Sequence, residues 1–188
     1  LAGSPASAAV VTLNWWHLGE SDPGAVAGNT GNASTIDSVG AFDLTRSGTA
    51  QYSADVPSNS GGSVLSMAFT GNNYYYDTSG PATTLTDNFG IEAFVKANNT
   101  TQTSLVVNNG TQSPGNGYGF YQTGATYQVL LGGAFVSDPT PVSTTEWIHL
   151  ALVRDSGVST FYANGIQVGS TFATTPGTPA GAFTIGAY

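Results

Sequence analysis

Cysteine is missing from all 188 residues, so no disulfide can staple this chain and no thiolate can ligate a metal or attack a substrate. Basic side chains are nearly missing as well. Arg46, Lys96 and Arg154 stand against eleven acids, a formal net charge of −8. Charged residues make up 7% of the chain, where about 25% is ordinary for a globular domain. Three cations cannot neutralise a phosphate backbone, which excludes nucleic acid as a partner, and nothing draws the chain to anionic lipid. No apolar run approaches the roughly 20 residues of a membrane span. Helical periodicity with caps is absent too, leaving room for at most a short helical turn within 20–40.

What remains is one domain over residues 1–188, long enough to bury about 70% of the surface its unfolded chain would expose. No linker divides it and no repeat of 20–50 residues recurs. Ser, Thr, Asn and Gln must carry the solubility, which suits an extracellular life. Ala6-Ser7-Ala8 has the small-x-small form of a signal-peptidase site, without a charged or apolar region before it.

The apolar segments are short, β-branched or aromatic, and bounded by Gly, Asn, Ser, Thr or Pro, which is the pattern of strands. Strands are predicted at 10–16, 41–46, 63–69, 73–77, 89–97, 103–109, 117–123, 126–133, 147–155, 158–164, 166–171 and 182–188. In "VSTFYANGIQVGS" the pair Asn164-Gly165 marks a two-residue hairpin, because both central residues of a type I′ turn need positive φ. Asp155-Ser156-Gly157 makes the preceding tight connection, so residues 147–171 read as a three-stranded meander. In "FGIEAFVKA" Phe89, Ile91, Ala93 and Val95 share one face, and Glu92, Phe94 and Lys96 the other. A dozen such strands predict an all-β fold, a two-sheet antiparallel β-sandwich or jelly roll.

The stretches "NFGIEAFVKANNTTQTSLVVNNG", "GYGFYQTGATYQVLLGG", "STTEWIHLALVRDSGVSTFYANGIQVGS" and "FTIGAY" resemble the laminin-G-like, concanavalin-A-like jelly-roll domains of bacterial extracellular proteins. Upstream, "LNWWHLGE", "DSVGAFDLTRSG" and "LSMAFTGNNYYYD" resemble the same family's first strand and its "F-d-G-x-x-d-Y-v" segment, so the likeness covers nearly the whole chain. It implies a secreted or cell-surface module. It also implies calcium as an optional ligand at the sandwich rim, for which Asp77, Asp138 and Asp155 fall at loop edges. Two departures stand out. Thr70 occupies the place of the family's Asp before Gly71, and the chain stops at Tyr188, before the family's last strand. That strand lies beside the first one, so its loss implies an open sheet edge.

"EWIHLALVRDSG" gathers Glu146, His149, Arg154 and Asp155 within ten positions. On a strand His149 shares a face with Trp147, Ala151 and Val153, and Arg154 shares the other with Ile148, Leu150 and Leu152. Glu146 and Asp155 then lie about 30 Å apart, beyond any acid–base cooperation. The cluster reads as the polar trim of a core strand, with His149 hydrogen-bonded inside. Glycosidases need two carboxylates about 5–9 Å apart. "GESDPG" supplies Glu20 and Asp22 but breaks at Pro23-Gly24 with no third acid, so no catalytic residue is assigned.

Aromatics beside amides are the better binding candidates. "NNYYYD" places Tyr74 and Tyr76 on one face and Tyr75 on the other, next to Asn72 and Asn73. Tyr118 and Tyr121 recur in the middle hairpin. Phenol rings stack on sugar C–H faces while amides bond hydroxyls, although aromatics also fill cores. The sequence thus reads as a secreted, non-catalytic recognition or adhesion module that needs no cofactor, with carbohydrate the favoured ligand. The alternative is a structural subunit of an extracellular filament or surface layer, assembled by strand exchange through an open edge.

Overall fold

The computed structural model describes residues 9–58, 62–77, 79–112 and 115–186. Ala6-Ser7-Ala8 and Tyr188 lie outside them. Every regular element among the described residues is a strand: β1 (Ser34–Thr35), β2 (Leu44–Ser47), β3 (Gln51–Ser53), β4 (Ser66–Ala68), β5 (Tyr74–Asp77), β6 (Phe89–Val95), β7 (Thr103–Asn109) and β8 (Tyr118–Thr123). After them come β9 (Thr126–Leu131), β10 (Ala134–Phe135), β11 (Thr140–Pro141), β12 (Ile148–Asp155), β13 (Val158–Ala163), β14 (Ile166–Gln167) and β15 (Phe183–Gly186). No helical turn forms within 20–40, where the chain makes turns and bends instead.

The larger sheet runs β1-β2-β5-β15-β7-β8-β9-β10, with β11 also paired to β9. The smaller runs β14-β13-β12-β6, and β3 with β4 forms a separate ribbon. All pairings are antiparallel. The chain passes between the two sheets at β5–β6, β6–β7, β11–β12 and β14–β15, and β15 inserts between β5 and β7, as in a jelly roll.

Alternation decides which side chains meet between the sheets. Phe89 of the smaller sheet stacks on Tyr118 of the larger at 4.0 Å, and Phe120 meets Phe161 at 5.9 Å. Leu44, Tyr75, Val129, Leu150 and Leu152 complete this core, and the ribbon adds Tyr52 and Met67. Burial lifts the Tyr118 and Tyr127 phenols to about 12. The meander at 147–171 forms as read. Asn164 and Gly165 turn β13 into β14 at φ of 50° and 77°, and Ser156 and Gly157 turn β12 into β13 at 50° and 83°.

Three readings of the sequence need correction. Residues 10–16 do not form a strand, and only Trp16 bridges to Asp37. The cause is local. The Asp37 carboxylate takes the backbone N–H of Trp15 at 2.8 Å and Asn14 Nδ2 at 2.7 Å, donors that a β-ladder or the solvent would otherwise use. His149 is not inside. The smaller sheet is covered on one face only, so His149 lies on the open face, 3.1 Å from Glu92, its ring tilted against Phe94 at 4.7 Å. Short strands β1, β3, β10 and β11 arise where loops were expected, because partner strands recruit them rather than their own propensity.

The few charges are tied down. Arg154, only 3% exposed, donates to the carbonyls of Thr86 and Thr174 and to Ser159 Oγ, with Asp87 at 3.4 Å. Asp37 accepts three further N–H groups, from Val39, Gly40 and Phe42, which closes the 37–42 loop around one carboxylate. Burial opposes its ionisation, but the hydrogen bonds from Asn14, Trp15, Gly40 and Val39 outweigh it and hold the group below the usual carboxylate range. A folded pKa below the unfolded one stabilises the fold above about pH 4 and loses that contribution as pH falls through the folded value. Asp37→Ala should therefore cost about 2 kcal/mol or more at neutral pH, and less in acid, as read from urea melts at both pH values.

Candidate functional site

The outer face of the larger sheet carries an open groove of about 400 Å³. Its residues are placed by register. In β5 Tyr75 points into the core, so Tyr74 and Tyr76 point outward, their rings edge to face at 5.3 Å. In β15 Thr184 sits opposite Tyr76 on one side and opposite Asn108 of β7 on the other. Tyr76, Thr184 and Asn108 thus form one row across three strands. A β-bulge in β7, between Leu105 and Val107, inserts one residue. Without it Leu105 would share the inward face of Val107; with it Leu105 turns outward and lines the groove.

Asn108 is the unusual member. It is 2% exposed, its Nδ2 donates to the Gly110 carbonyl at 2.6 Å, and its Oδ1 has no partner among the described residues. A carbonyl can only accept, so the Gly110 contact fixes which end of the amide is nitrogen. Opposite Asn108 stands Gly119, where a Cβ would meet the Val107 carbonyl at 2.0 Å and Asn108 Oδ1 at 2.9 Å. Only glycine lets the amide lie over β8. Thr111 Oγ1, also in the groove wall, is a second buried oxygen without a partner. Unpaired buried acceptors cost about 1–3 kcal/mol each, and such a cost is recovered when a donor arrives.

The predicted binding residues separate. Tyr74 and Tyr76 line the groove. Tyr75 and Tyr118 are core, because the odd member of "YYYD" and the first residue of β8 face the other sheet. Tyr121 faces outward but is buried against Leu105 and Leu130, with Phe135 at 6.0 Å. Asn73 is spent on the loop, accepting from Thr49 N at 2.7 Å and donating to the Thr70 carbonyl, and Asn72 is exposed in the turn. Leu105, Asn108 and Thr184 were missed. A bulge leaves no clear mark in "TSLVVNN"; the one available signal was an asparagine pair inside an apolar strand.

The acids serve elsewhere. Glu20 accepts from the backbone of Val64 and Leu65, and Asp22 from Ile36 N and Tyr52 Oη, both at 2.9 Å. Neither carboxylate of "GESDPG" is left to work as part of a hydrolytic pair on these contacts. Glu146 and Asp155 flank opposite ends of β12, as the sequence implied.

Residues 69–188 match a laminin G family model described as the concanavalin A-like lectin/glucanases superfamily. The chain belongs to that superfamily. The match takes in β5 to β15, and with them the groove, whereas the likeness read from the sequence extended further upstream. No curated protein and no solved structure matches the chain. The superfamily joins lectins to glucanases, so membership places the domain among carbohydrate-related and adhesion-type modules without choosing an activity. No helix among the described residues is long and apolar enough to cross a membrane.

The optional calcium of laminin-G-like domains can be tested against the donors present. Among the described residues no three His, Cys, Asp or Glu side chains converge. Asp77 accepts from Ser79 N at 2.5 Å, Asp138 from Ser170 N at 3.3 Å, and Asp155 from Ser156 Oγ at 2.9 Å. Asp77 and Asp155 close their own turns and Asp138 ties its loop to Ser170, so these residues do not fit a shared cation site. A site holding calcium at a hundred times its Kd would add about 2.7 kcal/mol of stability. Millimolar calcium is expected to leave the thermal midpoint unchanged against EDTA; a rise of several degrees would overturn this.

Proposed function

We propose that this domain is an extracellular, non-catalytic recognition module that binds a carbohydrate in the groove beside β5. The observation that carries the reading is Asn108. A buried acceptor with no partner among the described residues sits in a groove walled by two tyrosines, beside the Thr184 hydroxyl. Sugar sites combine these parts, an aromatic surface for C–H faces and fixed polar atoms for hydroxyls. Among the described residues the groove lining includes no Asp or Glu, which supports binding over hydrolysis, since glycoside cleavage needs two flanking carboxylates. No metal is required for the contact.

Glycan-array screening followed by titration calorimetry tests this. Tyr76→Ala and Asn108→Leu should each weaken binding at least tenfold, about 1.4 kcal/mol, with EDTA without effect. A folded, monomeric wild type that binds no glycan would sink the reading.

A second reading, self-association into a filament or layer, is favoured by the segment at 10–15. Val10 is 97% exposed and Trp15 53%, with Val11 and Leu13 also exposed, although "VVTLNWW" is strand-forming in composition. The Asp37 clamp holds its end, so the segment is presented to a neighbouring sheet edge rather than folded back. Sedimentation velocity over a concentration series should show association that Val11→Lys with Leu13→Lys removes. A wild type that stays monomeric throughout would exclude it.

A further inference from the structure

We infer that the groove selects uncharged, hydroxyl-bearing sugar units and rejects uronates, sulfated sugars and amino sugars; this rests on the carbohydrate reading above. Asn108 Nδ2 gives one hydrogen to the Gly110 carbonyl, and the buried Oδ1 is the atom left with no partner at all among the described residues. It therefore asks for a donor. A sugar hydroxyl supplies one and keeps its own oxygen for a neighbouring donor such as the Thr184 hydroxyl. A carboxylate or sulfate oxygen carries no proton, and would set acceptor against acceptor at the buried Oδ1.

Charge points the same way. None of the described residues lining the groove is Asp, Glu, Lys, Arg or His. An anion entering it meets no counter-charge and approaches a chain of net charge −8. The three cations are engaged elsewhere. Lys96 pairs with Asp55, Arg154 is buried on the inner face, and Arg46 donates to the backbone carbonyls of Asn32 and Gly48. An ammonium group fares no better than an anion at close quarters. Asp77, next to Tyr76 in β5, lies outside the described lining, and the acids beyond it act through screening solvent, so no carboxylate of the described lining replaces the ammonium's hydration.

Sites that hydrogen-bond a substrate hydroxyl reject analogues lacking it far more strongly than apolar pockets reject a missing methylene. Asn108 is on this account the specificity-determining residue, and Thr184 its neighbour in the row.

Gluco- and manno-oligosaccharides, oligogalacturonate, heparin oligosaccharides and chitosan oligomers are titrated calorimetrically into the whole chain at low and high sodium chloride. A neutral series should bind with a Kd constant within about twofold across salt, and the charged series at least about tenfold more weakly. Asn108→Leu and Thr184→Val should each remove the preference for the neutral series, with folding checked by circular dichroism. If Asn108→Leu does not fold, Thr184→Val and the wild-type salt series decide. Tighter binding of a uronate, sulfated or amino-sugar oligomer, lost in Thr184→Val, overturns the inference while leaving carbohydrate recognition standing. Neutral binding untouched by a folded Asn108→Leu overturns it as well. Silence toward every oligosaccharide sinks the carbohydrate reading itself.

Discussion

Everything in this molecule depends on two sheets meeting through one face each. Phe89 on Tyr118 and Phe120 against Phe161 join them, and Trp16 stacks on Phe183 at 4.6 Å to close one side. Once those side chains point inward, strand alternation sends their neighbours outward without further choice. Tyr74, Tyr76, Thr184 and Asn108 face the groove because Tyr75, Phe183 and Val107 face the core. His149 and Phe94 are sent to the opposite surface by the same rule.

The scarcity of charge shapes how the loops are held. With few ion pairs to use, the chain closes its connections on single polar groups that gather several backbone partners. Asp37 organises 37–42 and captures 14–15, while Arg154 gathers carbonyls near both 86 and 174. Asp22, Tyr52 and Tyr75 do the same around Asn32: Tyr52 Oη accepts from Asn32 N and Tyr75 Oη donates to Asn32 O, at 2.9 and 2.7 Å. Such groups are satisfied internally and are withdrawn from binding. Against that background Asn108 Oδ1 and Thr111 Oγ1, both in the groove wall, are left without a partner among the described residues.

Much of the architecture was legible because its signals are local. Asn164-Gly165 and Ser156-Gly157 turn the chain where their tolerance of positive φ allows, and the parity of "FGIEAFVKA" matches the burial of β6 residue by residue. The segment at 10–16 misled for the opposite reason. Its composition suits a strand, but a distant aspartate took the donors at its end. Propensity describes what a segment can do, not which partner reaches it first. The tyrosines were only half legible, since "YYYD" announces two faces without saying which one is covered.

The amino-acid sequence by itself determined the strand-rich class, the hairpins, the absence of a thiol or basic surface, and the separation of Glu146 from Asp155. These follow from composition, turn chemistry and a period of two, all of which act over a few residues. Only the tertiary structure decided that Tyr74 and Tyr76 belong with Thr184 and Asn108, or that Leu105 joins them. Those residues lie on strands brought together by β15 inserting between β5 and β7, and a bulge of one residue turns Leu105 around. Register between distant strands is set by the packing of the whole sandwich, and no short stretch of chain contains that information.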